Sequence, residues 1–303
     1  MTATVTRPVI TEPGIYDMTD EQYHADPVPG GSLSSTGARM LLPPKGCPAL
    51  FRHAQLTPAE PTDDFDFGHA AHKLVLGAGQ DIVVVDADSW RTNDAKNQAA
   101  KARDAGAVPL LAHEYDVVEE MATVLRDDPA AAALFAPGSG RPEQSLFWQD
   151  DEFGVWRRAR LDWLPNPTGS RMIIADYKTA RSVEPTALSK AMADHGYYQQ
   201  ACWYMDAVQA LGLAPHGVTF VFVFQMKKPP YLVTVAQPDP YAMHFGGLRN
   251  AKALDIYAEC RRTNVWPGFA DKPITLPLPR WSERANEDAW ERGDYTTSKE
   301  KTA

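Results

Sequence analysis

The sequence predicts an α/β protein, α+β in character with a mixed sheet, in which a helix precedes three strands and further helices lead to a fourth. Three observations carry this reading. Strand candidates at 145–149, 155–163 and 172–177 follow one another closely, separated by turn signals at 150–154 and 165–169. Connections that short make neighbouring strands antiparallel. Two helix patterns come next, 185–194 and 197–210, the first stopping at His195–Gly196 and the second at Gly212. The continuous apolar run 218–224 then supplies a buried strand reached by a helical crossover, the connection a parallel pairing requires.

The other elements follow in chain order. Residues 1–60 are rich in Pro and Gly and read as an N-terminal arm, with a short helix at 19–24 capped by Thr19 and another opening at Ser34 or Ser35. The main domain is expected over 61–270. Within 65–76, Phe67, Ala71, Leu74 and Val75 recur at helical spacing, so a helix carries Gly68 and His72 on neighbouring faces. A β-branched run at 82–85, a polar stretch at 90–106 and an amphipathic helix at 113–125 form a helical insert over about 90–130. From 271 to 303, Pro273, Pro277, Pro279 and a polar stretch ending in Thr302 suggest a covering loop and a disordered tail.

Composition narrows the function classes. The 303 residues are 44% hydrophobic and 23% charged, which is ordinary globular composition. No apolar stretch approaches the ~20 residues of a membrane span and no signal-peptide pattern opens the chain, so no membrane role and a cytoplasmic location are expected. Cys47, Cys202 and Cys260 supply neither a close CxxC pair nor the four thiolates of an iron–sulfur cluster. A formal charge of −9 argues against a generally cationic nucleic-acid binder and leaves room for a local basic groove. Arg157, Arg158 and Arg160, Lys227 and Lys228, and Arg91 and Lys96 are the sequence clusters that could line one, although such clusters are more often solvated faces.

The chemistry-bearing residues fall on the predicted elements in a telling order. Positions i and i+2 of a strand share a face, so Asp176 and Lys178 point together while Tyr177 turns away. Asp162 ends the neighbouring antiparallel strand and can reach the same ion as Asp176, with either Glu143 or His72 completing the protein's share of the ligands. Hard carboxylates beside a lysine suit a magnesium-dependent phosphodiesterase, in which the metal activates water and the cation sits near the phosphate. Gln200 and Tyr204, four apart on one helix face, add a neutral amide that can orient water or phosphate. Each signal is weak by itself: D-x-K is usually a surface ion pair, and a lone histidine is usually a core or surface hydrogen-bonder.

Taken together, the order Gly68-x-x-x-His72, Glu143, Arg158-x-Arg160-Leu161-Asp162, Asp176-Tyr177-Lys178-Thr179 and Gln200-x-x-x-Tyr204 resembles the PD-(D/E)xK nuclease superfamily, with its restriction-endonuclease-like core. More narrowly it resembles the RecE-like exonucleases, the nuclease domain of exodeoxyribonuclease VIII found in phages and prophages. Leu33–Ser34–Ser35–Thr36, the stretch 67–76, the stretch 91–96 and Pro229–Pro230–Tyr231 extend the likeness over about 14–240. The resemblance implies a Mg²⁺-dependent exonuclease, with Mn²⁺ as a substitute. It would process linear double-stranded DNA from its ends, 5′ to 3′, leaving 3′ single strands for a RecT-like annealing protein. It implies His72, Asp162 and Asp176 as metal ligands, Glu143 near the metal or its water, Lys178 positioning or activating the nucleophile, and Gln200 assisting. Arg158, Arg160, Tyr204, Arg91 and Lys96 are the expected DNA contacts, and a homo-oligomer, such as a ring tetramer, is the expected assembly.

Two positions depart from the family pattern: Tyr177 stands where an aliphatic residue is usual, and Gln225 where an acidic one is common. Other readings stay open. They are a different nuclease of the superfamily (Cas4-like, AddB-like or an endonuclease), a non-catalytic DNA-binding module of the same fold, and an unrelated α/β protein.

Overall fold

The computed structural model describes residues 8–57 and 63–297. Residues 1–7, 58–62 and 298–303 lie outside the described set, and with them the first residues read for a signal peptide and the chain end at Thr302. The chain divides into two compact units, Met1–Trp266 and Pro267–Ala303.

The larger unit opens with β1 (Gly14–Tyr16), α1 (Asp20–His24), β2 (Leu33–Ser34), α2 (Ser35–Met40) and α3 (Pro48–Leu56). Local chemistry accounts for the helix starts. Thr19 Oγ accepts from the Gln22 amide at 3.2 Å while the Gln22 side chain accepts from the Thr19 amide at 3.0 Å, a reciprocal cap. Ser34 Oγ accepts from the Gly37 amide at 3.1 Å, and α3 begins on Pro48, whose missing N–H costs nothing in a first turn. The chain continues through α4 (Asp63–Leu76), β3 (Ile82–Val85), α5 (Asn93–Asp104), β4 (Val108–Leu111), α6 (Ala112–Asp127) and α7 (Pro129–Leu134). Here β3 and β4 pair in parallel around α5, a small sheet whose second strand the sequence reading did not anticipate.

Next come β5 (Gly140–Asp150), β6 (Val155–Pro165), β7 (Met172–Ala180), α8 (Pro185–His195), α9 (Tyr197–Ala210), β8 (Val218–Met226), β9 (Val233–Ala236) and α10 (Pro240–Thr263). The main sheet has the order β1-β5-β6-β7-β8-β9, with β2 also paired to β6. As the short turns predict, β5, β6 and β7 run antiparallel, and the α8–α9 crossover delivers β8 parallel to β7 from Met172↔Val218 to Ala180↔Met226. The architecture is therefore the predicted helix, three strands, helices and strand on a mixed sheet.

Helices cover both sheet faces. On one side Trp203, Ala207 and Leu254 pack with Leu146, Leu161, Ile174 and Phe222. On the other, Ala70, Ala71, Val118 and Leu125 pack with Trp163, Ala175, Tyr177 and Val223. The 24-residue α10 gave little sequence signal because its buried stripe includes Gly246, Asn250, Ala253 and Cys260, small or polar residues that blur the apolar period. Small size is what that contact requires: a Cβ on Gly246 would lie 2.6 Å from the Tyr198 carbonyl oxygen of α9.

β5 starts at Gly140, five residues before the predicted strand, and so takes in Glu143. In the smaller unit, α11 (Arg280–Glu291) replaces part of the expected unstructured tail. Its Arg, Glu and Ala residues after Pro279 favour a helix once the prolines are passed. Among the described residues, no helix is long and apolar enough to cross a membrane.

Arg157 ties the sheet to α9. Its guanidinium lies 4.7 Å from the Trp148 ring centroid and 4.0 Å from that of Trp203, and pairs with Asp150 at 3.0 Å and Asp206 at 2.8 Å. Substituting Arg157→Met should lower stability by on the order of 3 kcal/mol, since it leaves the half-buried carboxylates of Asp150 and Asp206 without their cation and removes two cation–π contacts. Urea unfolding followed by tryptophan fluorescence measures this, and a change under about 1 kcal/mol would assign the pairings no net stabilising role.

Candidate metal and active site

The site forms where the sheet opens. β6 and β7 are bridged only at Trp163↔Ala175. β5 occupies one edge of β6 along its length, so β2, paired at Leu33↔Arg157 and Ser34↔Arg158, must share the other edge with β7. Residues 159–162 of β6 sit in the fork between them. In an unbroken ladder the Tyr177 amide would seek a carbonyl of β6; here it donates to Asp162 Oδ2 at 2.7 Å. Glu143 faces the same point from β5. Pro142 faces Trp163 and Gln144 faces Leu161, which sets Glu143 opposite Asp162. Glu143 adopts a positive φ of 52°, an uncommon conformation for a non-glycine residue. Side-chain alternation changes phase there: Leu161 joins the core beneath α9, whereas Trp163, two residues on, joins the core beneath α4.

His72 completes the group from α4, with Nδ1 3.6 Å from Asp162 Oδ2. His72, Glu143 and Asp162 offer ligand atoms that all lie within 4.8 Å of one another. An octahedral ion with bonds of ~2.1 Å separates its ligand atoms by about 3 to 4.2 Å, so a small inward movement of these side chains lets one divalent cation engage all three. Asp176 and Lys178 stand beside it, side chains on one face of β7 as their spacing predicts. Asp176, 1% exposed, pairs through Oδ2 with Lys178 Nζ at 2.5 Å and accepts from Gln200 Nε2 at 2.9 Å through Oδ1. The geometry thus groups Glu143 with His72 and Asp162 as the candidate ligands, and engages Asp176 with the lysine and the amide.

Electrostatics follow the crowding. Burial and the neighbouring Asp162 push Asp176 up to about 6, burial raises Asp162, and burial with Asp162 raises Glu143. Burial and the Lys178 cation push His72 down to about 4, which keeps the imidazole neutral with a lone pair free to bind metal. Burial opposes the charge on Lys178, but Asp176 and Asp162 outweigh it and hold the ammonium above its usual range. Burial near Asp176 drives the Tyr204 hydroxyl well above its ordinary value, so it is a neutral neighbour of the pair.

The arginines of β6 are committed elsewhere. Arg158 pairs with Asp26 at 2.6 Å and donates to the Ser32 carbonyl at 2.8 Å. Arg160 donates to Glu143 at 2.7 Å and to the Met18 carbonyl and Ser145 hydroxyl, each at 3.0 Å. Both hold the N-terminal arm and Glu143 in place. Arg91 and Lys96 are exposed in the insert, and no ion pair joins them to the cluster among the described residues.

Residues 44–273 match the model of a family described as a PDDEXK-like domain of unknown function (DUF3799). The chain belongs to this family. Its fold is also that of a crystal structure described as a putative exonuclease from Eubacterium rectale, with a TM-score of 0.58, 12% identity, and coverage of 89% of this chain and 99% of that one. A comparison with curated proteins finds no match. Asp162 and the Asp176-x-Lys178 pair, which carry the motif resemblance, are residues that the fork brings together.

Sequence reading gave Tyr177 and Gln225 no part, and both buttress the PDDEXK-like site. The Tyr177 hydroxyl donates to Gln225 Oε1 at 2.7 Å, and Gln225 Nε2 donates to the Met121 carbonyl at 2.7 Å and the Tyr231 carbonyl at 3.3 Å. The Tyr177 ring meets His72 edge-on at 5.2 Å between centroids. One residue thus fixes Asp162 by its amide and His72 by its ring. The signal available was Gln225 itself, a polar residue in an apolar strand. Gln225→Leu should cost about 2 kcal/mol, since it leaves a buried hydroxyl and two carbonyls without their partner; chemical denaturation measures it.

The pKa directions also set a pH dependence. Asp176 keeps its proton to about 6 when folded against 3.8 otherwise, so stability falls as pH rises through that window and the deficit is complete above it. His72 works oppositely, its cost appearing as pH falls from 6.5 towards about 4. A divalent cation should therefore raise the melting temperature more at pH 8, where the carboxylates are ionised and repel, than at pH 5, where protons compete. Asp162→Asn should abolish the shift. Thermal melts with and without Mg²⁺ at the two pH values test both outcomes.

Proposed function

We propose that this protein is a metal-dependent deoxyribonuclease that degrades linear double-stranded DNA from its ends with 5′ to 3′ polarity. The observation that carries the reading is the meeting of His72, Glu143 and Asp162 within 4.8 Å, beside the Asp176–Lys178 pair. Family membership and the exonuclease-described fold neighbour support it. Bound Mg²⁺, or Mn²⁺ in its place, supplies a water of lowered pKa and neutralises charge on the phosphate.

The chain's own residues divide the remaining work. Neutral His72 and the carboxylates of Glu143 and Asp162 would hold the ion, and Arg160 orients Glu143. Lys178, kept protonated by Asp176, positions water and faces phosphate charge rather than abstracting a proton. Gln200 restrains the Asp176 carboxylate. The motif resemblance supports the wider reading: a cytoplasmic enzyme whose 3′ tails feed a RecT-like annealing protein, working as a homo-oligomer such as a ring tetramer that encloses its duplex.

Digestion of linear against covalently closed duplex DNA in Mg²⁺, beside an EDTA control and Lys178→Ala, tests the core of this. Only linear DNA should be lost, EDTA should stop the reaction, and Lys178→Ala should slow it by roughly 100-fold or more. Cutting of closed circles would make the enzyme an endonuclease, and an inert wild-type protein would leave a binding module.

A further inference from the structure

We infer that Arg39, Lys45 and Arg249 form a cationic shelf around the junction of α8 and α9 that carries a DNA phosphodiester backbone past the carboxylate cluster. The three converge on a single stretch of chain. The stem of Arg39 lies against Gly196, its Cδ 2.7 Å from where a Cβ on that residue would be. Lys45 donates to the Asp194 carbonyl at 2.9 Å. Arg249 donates to Gln199 Oε1 at 3.3 Å and to the Pro43 carbonyl, in the loop before Lys45, at 3.2 Å.

That junction borders the catalytic pair. Tyr197, next to Gly196, places its ring centroid 6.0 Å from Lys178 Nζ, and Gln200, next to Gln199, holds Asp176. Arg39 lies close enough to the pair to feel the Asp176 carboxylate.

What separates these cations from others near the site is their partners. Arg157, Arg158, Arg160 and Lys178 each pair with a carboxylate. Arg39, Lys45 and Arg249 are held only by neutral groups among the described residues: a Thr36 hydroxyl at 3.1 Å, an amide and carbonyls. Arg39 Nη1 is buried with no hydrogen-bond partner among them. A buried cationic donor left unpaired costs free energy that an anion would offset. In a chain of net charge −9, uncompensated positive charge beside the carboxylates is where a polyanion finds attraction. Gly196, at φ +64°, joins α8 to α9 with no Cβ to block the Arg39 stem.

The inference takes its ligand from the nuclease reading above, and the test separates the two. Binding of a short fluorescein-labelled linear duplex is measured by anisotropy in Ca²⁺ over a range of salt. Wild type is compared with Arg39→Gln, Lys45→Gln, Arg249→Gln and the triple variant, with thermal melts to establish folding. Each substitution should weaken binding, and the slope of log K against log salt should shrink by about 0.9 per contact removed. Arg262→Gln, remote at the end of α10 and paired with Glu259, should leave the slope as it is. A folded triple variant with wild-type affinity and slope would overturn the shelf even if the enzyme cuts DNA. Lys45 is exposed, so its single variant keeps the test decisive if the others misfold, and an unchanged slope there overturns the shelf too. Salt-sensitive binding lost in the variants, from a wild type that cuts nothing in Mg²⁺, would sustain the shelf and refute the nuclease. A wild type that does not bind duplex overturns the shelf.

Discussion

Where β6 and β7 part, the amide of Tyr177 bonds to the side chain of Asp162 instead of to a backbone carbonyl. A buried N–H must find an acceptor, and by finding a carboxylate it pins that carboxylate at the mouth of a fork. The rest of the site is arranged around this point. β2 takes the other part of the β6 edge, the kink at Glu143 brings a second carboxylate opposite the first, and α4 lowers His72 onto the Tyr177 ring. The Tyr177 hydroxyl, tied through Gln225 to α6, keeps that ring from shifting. Rigidity at the site therefore derives from the core behind it.

The arrangement is under electrostatic tension by construction. Asp162, Asp176 and Glu143 are largely removed from water within reach of one another, and each is raised above its ordinary pKa. Lys178 and Arg160 compensate only in part. Such a cluster stores a preference for a cation, because a divalent ion relieves repulsion and desolvation together. The same tension makes the site costly to the fold, as is common where geometry serves chemistry rather than stability.

Charge along the chain and charge at the site turned out to be different matters. Arg157, Arg158 and Arg160 look like one basic cluster, yet strand alternation sends Arg157 between two tryptophans and the other two toward the N-terminal arm. All three end against carboxylates. Arg39 and Lys45, close in sequence, are joined by the distant Arg249 through the packing of α2, α9 and α10 against the sheet, and among the described residues they pair with no carboxylate.

By itself the sequence determined what is local and periodic. Turn signals gave three antiparallel strands, a crossover gave the parallel fourth, Gly196 marked the break between α8 and α9, and the two-residue spacing of Asp176 and Lys178 gave their shared face. The motif order was legible because secondary structure places those residues. Long-range register and charge compensation were decided by the tertiary structure. Glu143 reads as an alternative to His72 in the ligand set until its register opposite Asp162 brings it together with His72 rather than in place of it. Gln225 reads as a departure until three partners from separate elements surround it. α10 stayed hidden because close packing on α9 placed Gly246 and the polar Asn250 in its buried stripe, ahead of Leu254 and Tyr257. In each case the deciding energy lies between groups distant in sequence, which no local pattern records.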